Sequence, residues 1–142
     1  MLNKILKVNL IILFFCSISF AEVFKEITIK GNQRLSKESI IMFGDVDLKV
    51  DYTSNDLNLI IKKLYKTNFF KNVKLDTDNN TISITVLENP IIEDLEINGI
   101  TNKKLAEVLR ESMQLKSRKS YVETFFLQDL NLIKNMIKAS GY

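Results

Sequence analysis

The five letters DLNLI occur twice in this sequence of 142 residues, at 56–60 and at 129–133. Each copy is followed, at the same distance, by a residue that readily adopts the left-handed backbone conformation: Asn68 after the first copy and Gly141 after the second. Such residues commonly end helices, so both copies carry a stop signal at the same place. The repeat therefore predicts one helix of a structural module that occurs twice.

The helix that holds the first copy begins at a capping signal. Thr53 is placed to cap its first turn, and Asp56 follows three residues later. Four aliphatic residues then recur at helical spacing along one face: Leu57, Ile60, Ile61 and Leu64. Burial of each such side chain contributes about 1.5–3 kcal/mol before the entropy of folding is subtracted. This helix is therefore expected to pack on a core.

Alternating segments on both sides of this helix predict β-strands. Ile27 and Ile29 share one face of the first segment, which ends in a Gly-Asn turn at 31–32, and Ser36 then caps a short helix. Two further strands follow, separated by the turn letters TDNN. Their alternating apolar residues are Val73, Leu75, Ile82, Ile84 and Val86. The first module, residues 22–90, therefore reads strand, helix, helix, strand, strand, an α+β fold.

The same pattern restarts after Pro90. Leu95 and Ile97 alternate like the residues of the first strand, NKKLAEVLRESM predicts the next helix, and the helix after it carries the second DLNLI. A longer loop around LKSRKSY separates the two helices. The second module, residues 91–142, is expected to be truncated before its last two strands.

Residues 1–21 have the order of a secretory signal peptide. A basic start precedes an apolar run, and Ser19 and Ala21 are the small residues that a signal peptidase requires before its cleavage site. The apolar stretch 10–20 is short against the roughly 20 residues that span a bilayer. Cleavage after Ala21 is therefore favoured over an uncleaved anchor.

Composition narrows the functional classes. The chain is 46% hydrophobic and 26% charged, as in ordinary folded proteins, and it contains no His. Cleavage would also remove Cys16, Lys4 and Lys7, leaving no Cys and a formal net charge of +1. Such a chain has no disulfide, no His-dependent catalytic triad and no soft metal ligands, and its charge does not favour nucleic acid. We therefore assign no catalytic, cofactor-binding or metal-binding residue.

Three local motifs, together with this order of elements, resemble POTRA domains. They are FKEITIKGNQRL with Gly31 and Arg34, TNFFKNVKL after the second helix, and VLENP at the close of the module. Tandem modules behind a signal peptide are similar to the BamA-like family of outer-membrane protein assembly factors. The resemblance covers residues 24–142. Asn68 stands where the family often has Gly, and Asn tolerates the same backbone conformation.

The resemblance implies a location on the periplasmic face of the outer membrane. It also implies partners: unfolded outer-membrane protein precursors, accessory lipoproteins of the assembly complex, and a barrel that inserts the clients into the membrane. TamA-like proteins and two-partner-secretion transporters also carry tandem POTRA modules, and FtsQ-type division proteins carry one. These systems, and a periplasmic adaptor without a client, stay open as alternatives.

A binding mechanism follows from the predicted sheet. An edge strand offers unpaired N–H and C=O groups to another extended chain, and such pairing tolerates many sequences. The resemblance places this edge at FKNVKLD. The candidate peptide-binding residues are therefore Lys71, Asn72, Val73, Lys74 and Leu75.

The remaining conspicuous side chains are expected to have structural roles. Tyr65, Phe69 and Phe70 should fill the core, because they lie between a helix and a strand, and Arg34 should anchor the turn after the first strand through backbone carbonyls. The basic segment 116–120 is expected to be a solvated loop. Five carboxylates are expected to be solvated rather than to bind metal: Asp45, Asp47, Glu93, Asp94 and Glu96.

Overall fold

The computed structural model describes residues 22–48 and 50–141. The first part of this chain contains β1 (Glu22–Val23), β2 (Glu26–Lys30), α1 (Lys37–Gly44), β3 (Asp51–Tyr52), α2 (Ser54–Lys66), β4 (Phe70–Asp78) and β5 (Thr81–Glu88). The second part contains α3 (Lys103–Ser112) and α4 (Glu123–Ala139). The predicted signal peptide, residues 1–21, lies outside the described residues.

The first two helices begin at the predicted caps. Ser36 accepts a hydrogen bond from the Ser39 N–H at 3.1 Å. At the start of α2, the Thr53 hydroxyl accepts from the Asp56 N–H at 3.3 Å, and the Asp56 carboxylate accepts from the Thr53 N–H at 2.9 Å. This reciprocal pair satisfies backbone donors that the first turn leaves without partners. The hydrogen bond from the Thr53 hydroxyl is the main reason why the pKa of Asp56 is lowered.

Three strands form one sheet in the order β2-β5-β4. β5 is central and pairs in parallel with β2 and antiparallel with β4. The β4–β5 hairpin turns at Asn79 and Asn80, whose φ angles of 44° and 65° suit a two-residue turn of type I′. β1 and β3 form a separate antiparallel pair. The predicted strand, helix, helix, strand, strand order is present, with β1 and β3 added to it.

The helices α1 and α2 pack over one face of this sheet. Ile60 and Leu64 of α2 are buried, and Leu57 and Ile61 are partly buried against the same core. The sheet contributes buried side chains from alternate positions: Val73, Ile82, Ile84 and Val86. The opposite face of the sheet carries exposed residues such as Lys74, Asp76 and Thr85. The sheet is therefore covered on one face, as its alternating pattern predicted.

The predicted first strand of the second module is not formed within the described chain. Around Leu95 and Ile97 no strand is present, and the segment makes one isolated bridge, between Ile91 and Ser120. Its backbone bonds to the α3–α4 loop instead: Ile92 donates to the Lys119 carbonyl and accepts from the Arg118 N–H, both at 2.8 Å. A strand needs a neighbouring strand, which alternation of side chains alone cannot supply.

The two DLNLI copies share their distance to the end of the helix but not to its start. Asn68 and Gly141 have φ angles of 61° and 80°, so both predicted stop signals are confirmed. α4 nevertheless begins six residues before its DLNLI, whereas α2 begins two residues before. Asp56 therefore caps its own helix, while Asp129 is buried in the middle of α4.

Buried Asp129 binds the loop that precedes α4. Its carboxylate accepts the Gln114 N–H and the Leu115 N–H, each at 2.8 Å. The aspartate of the repeat thus caps a helix in the first copy and binds a loop in the second.

In the described part of the chain, no helix combines the length and apolarity needed to cross a bilayer.

Candidate peptide-binding edge

β4 lies at one edge of the three-stranded sheet. It pairs with β5 on one side, and no described strand pairs with its other side. The five residues proposed from the sequence, Lys71 to Leu75, all belong to it. β2 forms the opposite edge but has five residues against the nine of β4. β4 is therefore the longer candidate for strand addition.

The hairpin register determines which backbone groups of β4 face outward. Asp78 and Thr81 flank the two-residue turn, so they exchange hydrogen bonds across the hairpin. Hydrogen-bonded residues alternate along an antiparallel pair, so Asp76 and Lys74 also direct their N–H and C=O groups to β5. The intervening residues direct these groups to the free edge: Val73, Leu75 and Thr77. The usable edge thus extends to Thr77, beyond the predicted residues 71–75.

Tyr65 forms a hydrogen bond with one of these outward-facing backbone groups. Its hydroxyl accepts the Val73 N–H at 3.0 Å and donates to Asn72 Oδ1 at 3.2 Å. Tyr65 is 41% exposed, so the prediction that it fills the core is wrong. Its hydroxyl needs polar partners and finds them at the strand edge, whereas the neighbouring Phe70 is buried and Phe69 packs partly buried against the core.

A β-bulge lies at the start of β4. The register shifts between Phe70 and Asn72, which leaves Lys71 as the extra residue. Bulges and exposed lysines both discourage uncontrolled pairing at an edge. Further along the strand, Lys74 is partly neutralised by Asp76, at 2.8 Å. The edge is therefore most regular in its second half.

A cavity of about 490 Å³ lies beside the bulge, between the first module and the start of α4. Tyr65, Phe70 and Lys71 line it from one side, and Tyr121 and Val122 from the other. The Tyr121 N–H donates to the Pro90 carbonyl at 2.8 Å, which fixes the start of α4 to the end of the first module.

The basic segment 116–120 is docked more firmly than the sequence predicted. Lys116 donates to the carbonyls of Arg110 and Glu111 at the end of α3, and the Ser117 hydroxyl donates to Asp94 at 2.8 Å. The remaining basic side chains, Arg118 and Lys119, are exposed. The prediction of a solvated loop therefore holds for these two residues alone.

Two acidic residues of the loops have local partners. Asp45 forms an exposed ion pair with Lys63 at 2.7 Å. The Ser117 hydroxyl, followed by the Leu95 N–H, lowers the pKa of Asp94. In residues 22–48 and 50–141, no group of three or more carboxylate, His or Cys side chains is arranged to hold a metal ion.

Two solved structures from Anabaena have a similar arrangement. POTRA1-2 of the periplasmic domain of Omp85 from Anabaena matches 87% of this chain and 83% of that chain, with a TM-score of 0.57 and 14% identity. The POTRA1-3 structure of the same protein matches with a TM-score of 0.54 and 14% identity, over 87% of this chain and 53% of that chain. The chain has the POTRA fold.

Two proteins are similar to the chain in sequence. No family model matches the chain. It is 33% identical over 95 residues to the outer membrane protein assembly factor BamA of Neorickettsia risticii, and 36% identical over 77 residues to that of Neisseria meningitidis serogroup B. These matches cover 67% and 53% of this chain but 13% and 9% of the relatives. The chain is a BamA-like POTRA sequence that spans a small part of its relatives.

The glycine of the first POTRA motif permits a close approach of two strands. Gly31 follows β2 with a φ of +80°, and a Cβ at this position would lie 2.2 Å from the Val86 carbonyl oxygen of β5. Any side chain would therefore collide with the backbone of the central strand. This contact explains why Gly31 fits at this turn where a residue with a Cβ would not.

The arginine and glutamate of the POTRA motifs meet at the same turn. Glu88 accepts the N–H groups of Gln33, Arg34 and Leu35 at 2.8, 3.0 and 3.1 Å. The Arg34 guanidinium bonds to Glu88 at 3.0 Å and to the Asn89 carbonyl at 2.6 Å, in agreement with the anchoring role predicted for it. Burial acts to raise the pKa of Glu88, but these N–H groups and the Arg34 charge together lower it.

Asn89 connects this turn to the end of α2. Its N–H donates to the Phe69 carbonyl at 2.8 Å, and its side-chain amide donates to the Asn68 carbonyl at 3.0 Å. Asn89 is buried. The VLENP motif is therefore a structural junction, which holds the turn after β2, the end of α2 and the exit of β5 together.

Proposed function

We propose that this chain is a periplasmic part of an outer-membrane protein assembly factor, and that β4 binds extended segments of unfolded barrel precursors by strand addition. The similarity to BamA and the POTRA fold support the first statement. The observation that carries the second is the free edge of β4, where Leu75 and Thr77 direct backbone donors and acceptors outward.

The chemistry of such an edge suits a receptor for many clients. Each main-chain hydrogen bond contributes about 0.5–1.5 kcal/mol net and does not depend on the side chain of the bound peptide. Two or three such bonds give weak, reversible binding, from which a precursor can move on. In this proposal accessory lipoproteins and a membrane barrel belong to the same assembly, and a signal peptide directs the chain to the periplasm.

The test is a proline at a position where only the free edge is affected. Thr77 is exposed and its N–H faces away from β5, so Thr77→Pro removes one outward donor and leaves the hairpin bonds in place. We expect binding of a synthetic barrel-strand peptide to weaken about two- to tenfold, the value of one hydrogen bond. Calorimetric titration of the full chain measures this change.

Two control variants separate the edge from other effects. Thr77→Ala changes the side chain and keeps the N–H, and Lys119→Ala alters an exposed residue of the α3–α4 loop. Both should bind the peptide like the unaltered chain. Equal binding by Thr77→Pro, in a protein with an unchanged circular dichroism spectrum, would remove β4 from the proposed function.

A further inference from the structure

We infer that Tyr65 sets the register in which an extended chain adds to β4, by occupying the first outward-facing donor of the edge. The inference rests on the proposed function, since it concerns which part of that edge a client can use. It assigns a specificity role to a helix residue that lies outside the strand itself.

The Tyr65 hydroxyl accepts a hydrogen bond from the Val73 N–H at 3.0 Å. Val73 belongs to the outward-facing set with Leu75 and Thr77, so its N–H would otherwise be available to an added strand. A client carbonyl and the phenol oxygen cannot occupy the same place. While this bond is present, the first open donor of the edge is the Leu75 N–H.

A second hydrogen bond holds the phenol in place. The Tyr65 hydroxyl donates to Asn72 Oδ1 at 3.2 Å, so it both accepts and donates at the edge. Asn72 and Val73 are consecutive strand residues and their side chains point to opposite faces of the sheet. The hydroxyl therefore bridges the strand edge between the helix-covered face and the open face.

The position of this bridge along the strand determines how much of the edge stays open. The bulge at Lys71 already disturbs pairing at the beginning of β4, and Tyr65 occupies the next outward donor. The two features together close the first half of the edge. A client is thereby confined to the half that ends at the hairpin turn, with Leu75 and Thr77 as its donors.

Tyr65→Phe tests this inference, because it removes the hydroxyl and keeps the ring. The measurement is amide hydrogen exchange by NMR on the full chain, with and without a soluble synthetic peptide of alternating valine and threonine residues. In the unaltered protein, the peptide should newly protect Leu75 and Thr77. In Tyr65→Phe, the free protein should exchange the Val73 amide faster, and the peptide should protect Val73 as well and bind about two- to tenfold tighter.

Tyr121→Phe is the matched control, since Tyr121 lines the same cavity from the side of the second module. It should leave the exchange of Val73 and the affinity unchanged. If Leu75 and Thr77 respond to the peptide while Val73 stays unprotected in Tyr65→Phe, the register role of Tyr65 is wrong and edge binding stands. If Leu75 and Thr77 do not respond in any variant, the proposed function and this inference are both overturned.

Discussion

The Asp129 carboxylate accepts the Leu115 N–H at 2.8 Å, which joins α4 to the loop before it by a buried charge-assisted hydrogen bond. The Gln114 N–H bonds to the other oxygen of the same carboxylate. Asp129 is 3% exposed and its bond to the Leu115 N–H is buried, so this donor depends on the carboxylate for a partner.

Asp129→Ala should therefore destabilise the α3–α4 pair by about 1–3 kcal/mol, the cost of leaving a buried donor unsatisfied. Hydrogen exchange of the α3 and α4 amides measures this loss separately from the first module. The control is Asn135→Ala, which alters an exposed polar residue of the same helix and should change little. Equal protection in both variants would mean that the loop is held by its other contacts.

Gly31→Ala should destabilise the first module by more than the roughly 1–2 kcal/mol that a left-handed backbone costs a residue with a Cβ. The added methyl group would lie 2.2 Å from the Val86 carbonyl oxygen, so strands must also move apart. Urea unfolding of the two variants Gly31→Ala and Gly99→Ala gives the comparison. Gly99 has a φ of +83° and open space around it, so it should show the conformational cost without the collision.

Asn68→Gly should be tolerated, whereas Asn68→Val should destabilise by about 1 kcal/mol or more. Asn68 has a φ of 61° at the end of α2, and a β-branched side chain resists this conformation. Thermal unfolding of the two variants checks the prediction. An unchanged melting temperature for the Val variant would show that the end of α2 adapts without cost.

The lowered pKa of Glu88 makes the first module sensitive to acid. Its ionised form is favoured in the folded state, so its contribution is fully present above the ordinary glutamate pKa of 4.5 and is lost as the pH falls through the lower folded value. Glu88→Gln should be less stable at neutral pH, and its stability should fall less steeply than that of the unaltered protein below about pH 4.5. Urea unfolding of the unaltered protein and of Glu88→Gln across this pH range measures the difference. Equal losses of unfolding free energy in both proteins would show that Glu88 does not cause the acid sensitivity.

The elements that follow from local patterns were predictable from the sequence. The caps at Ser36 and Thr53, the hairpin turn and the two helix stops depend on residues within a few positions of each other. The outcome around Leu95 was not predictable, because alternation predicted a strand there and does not reveal that the segment lacks a partner strand.

The candidate edge was predictable only in part, because the direction of its backbone groups depends on pairing with another strand. The resemblance placed residues 71–75 there, but the outward set that ends at Thr77 follows from the hairpin register. Tyr65 was assigned to the core because of its place between a helix and a strand, which does not show that its hydroxyl reaches the backbone of Val73. A tyrosine rather than a phenylalanine at that position was the available signal, since a hydroxyl requires a polar partner.

The bonds around Asn89 and Pro90 have a mechanical consequence. Asn89 directly follows the central strand β5 and is held by Arg34 and Phe69, while the Pro90 carbonyl receives the Tyr121 N–H at the start of α4. These two points of attachment are consecutive residues, so little chain between them can stretch. A pull on α4 would therefore be transmitted as tension along β5, through the middle of the sheet and beside the edge that we propose takes up clients.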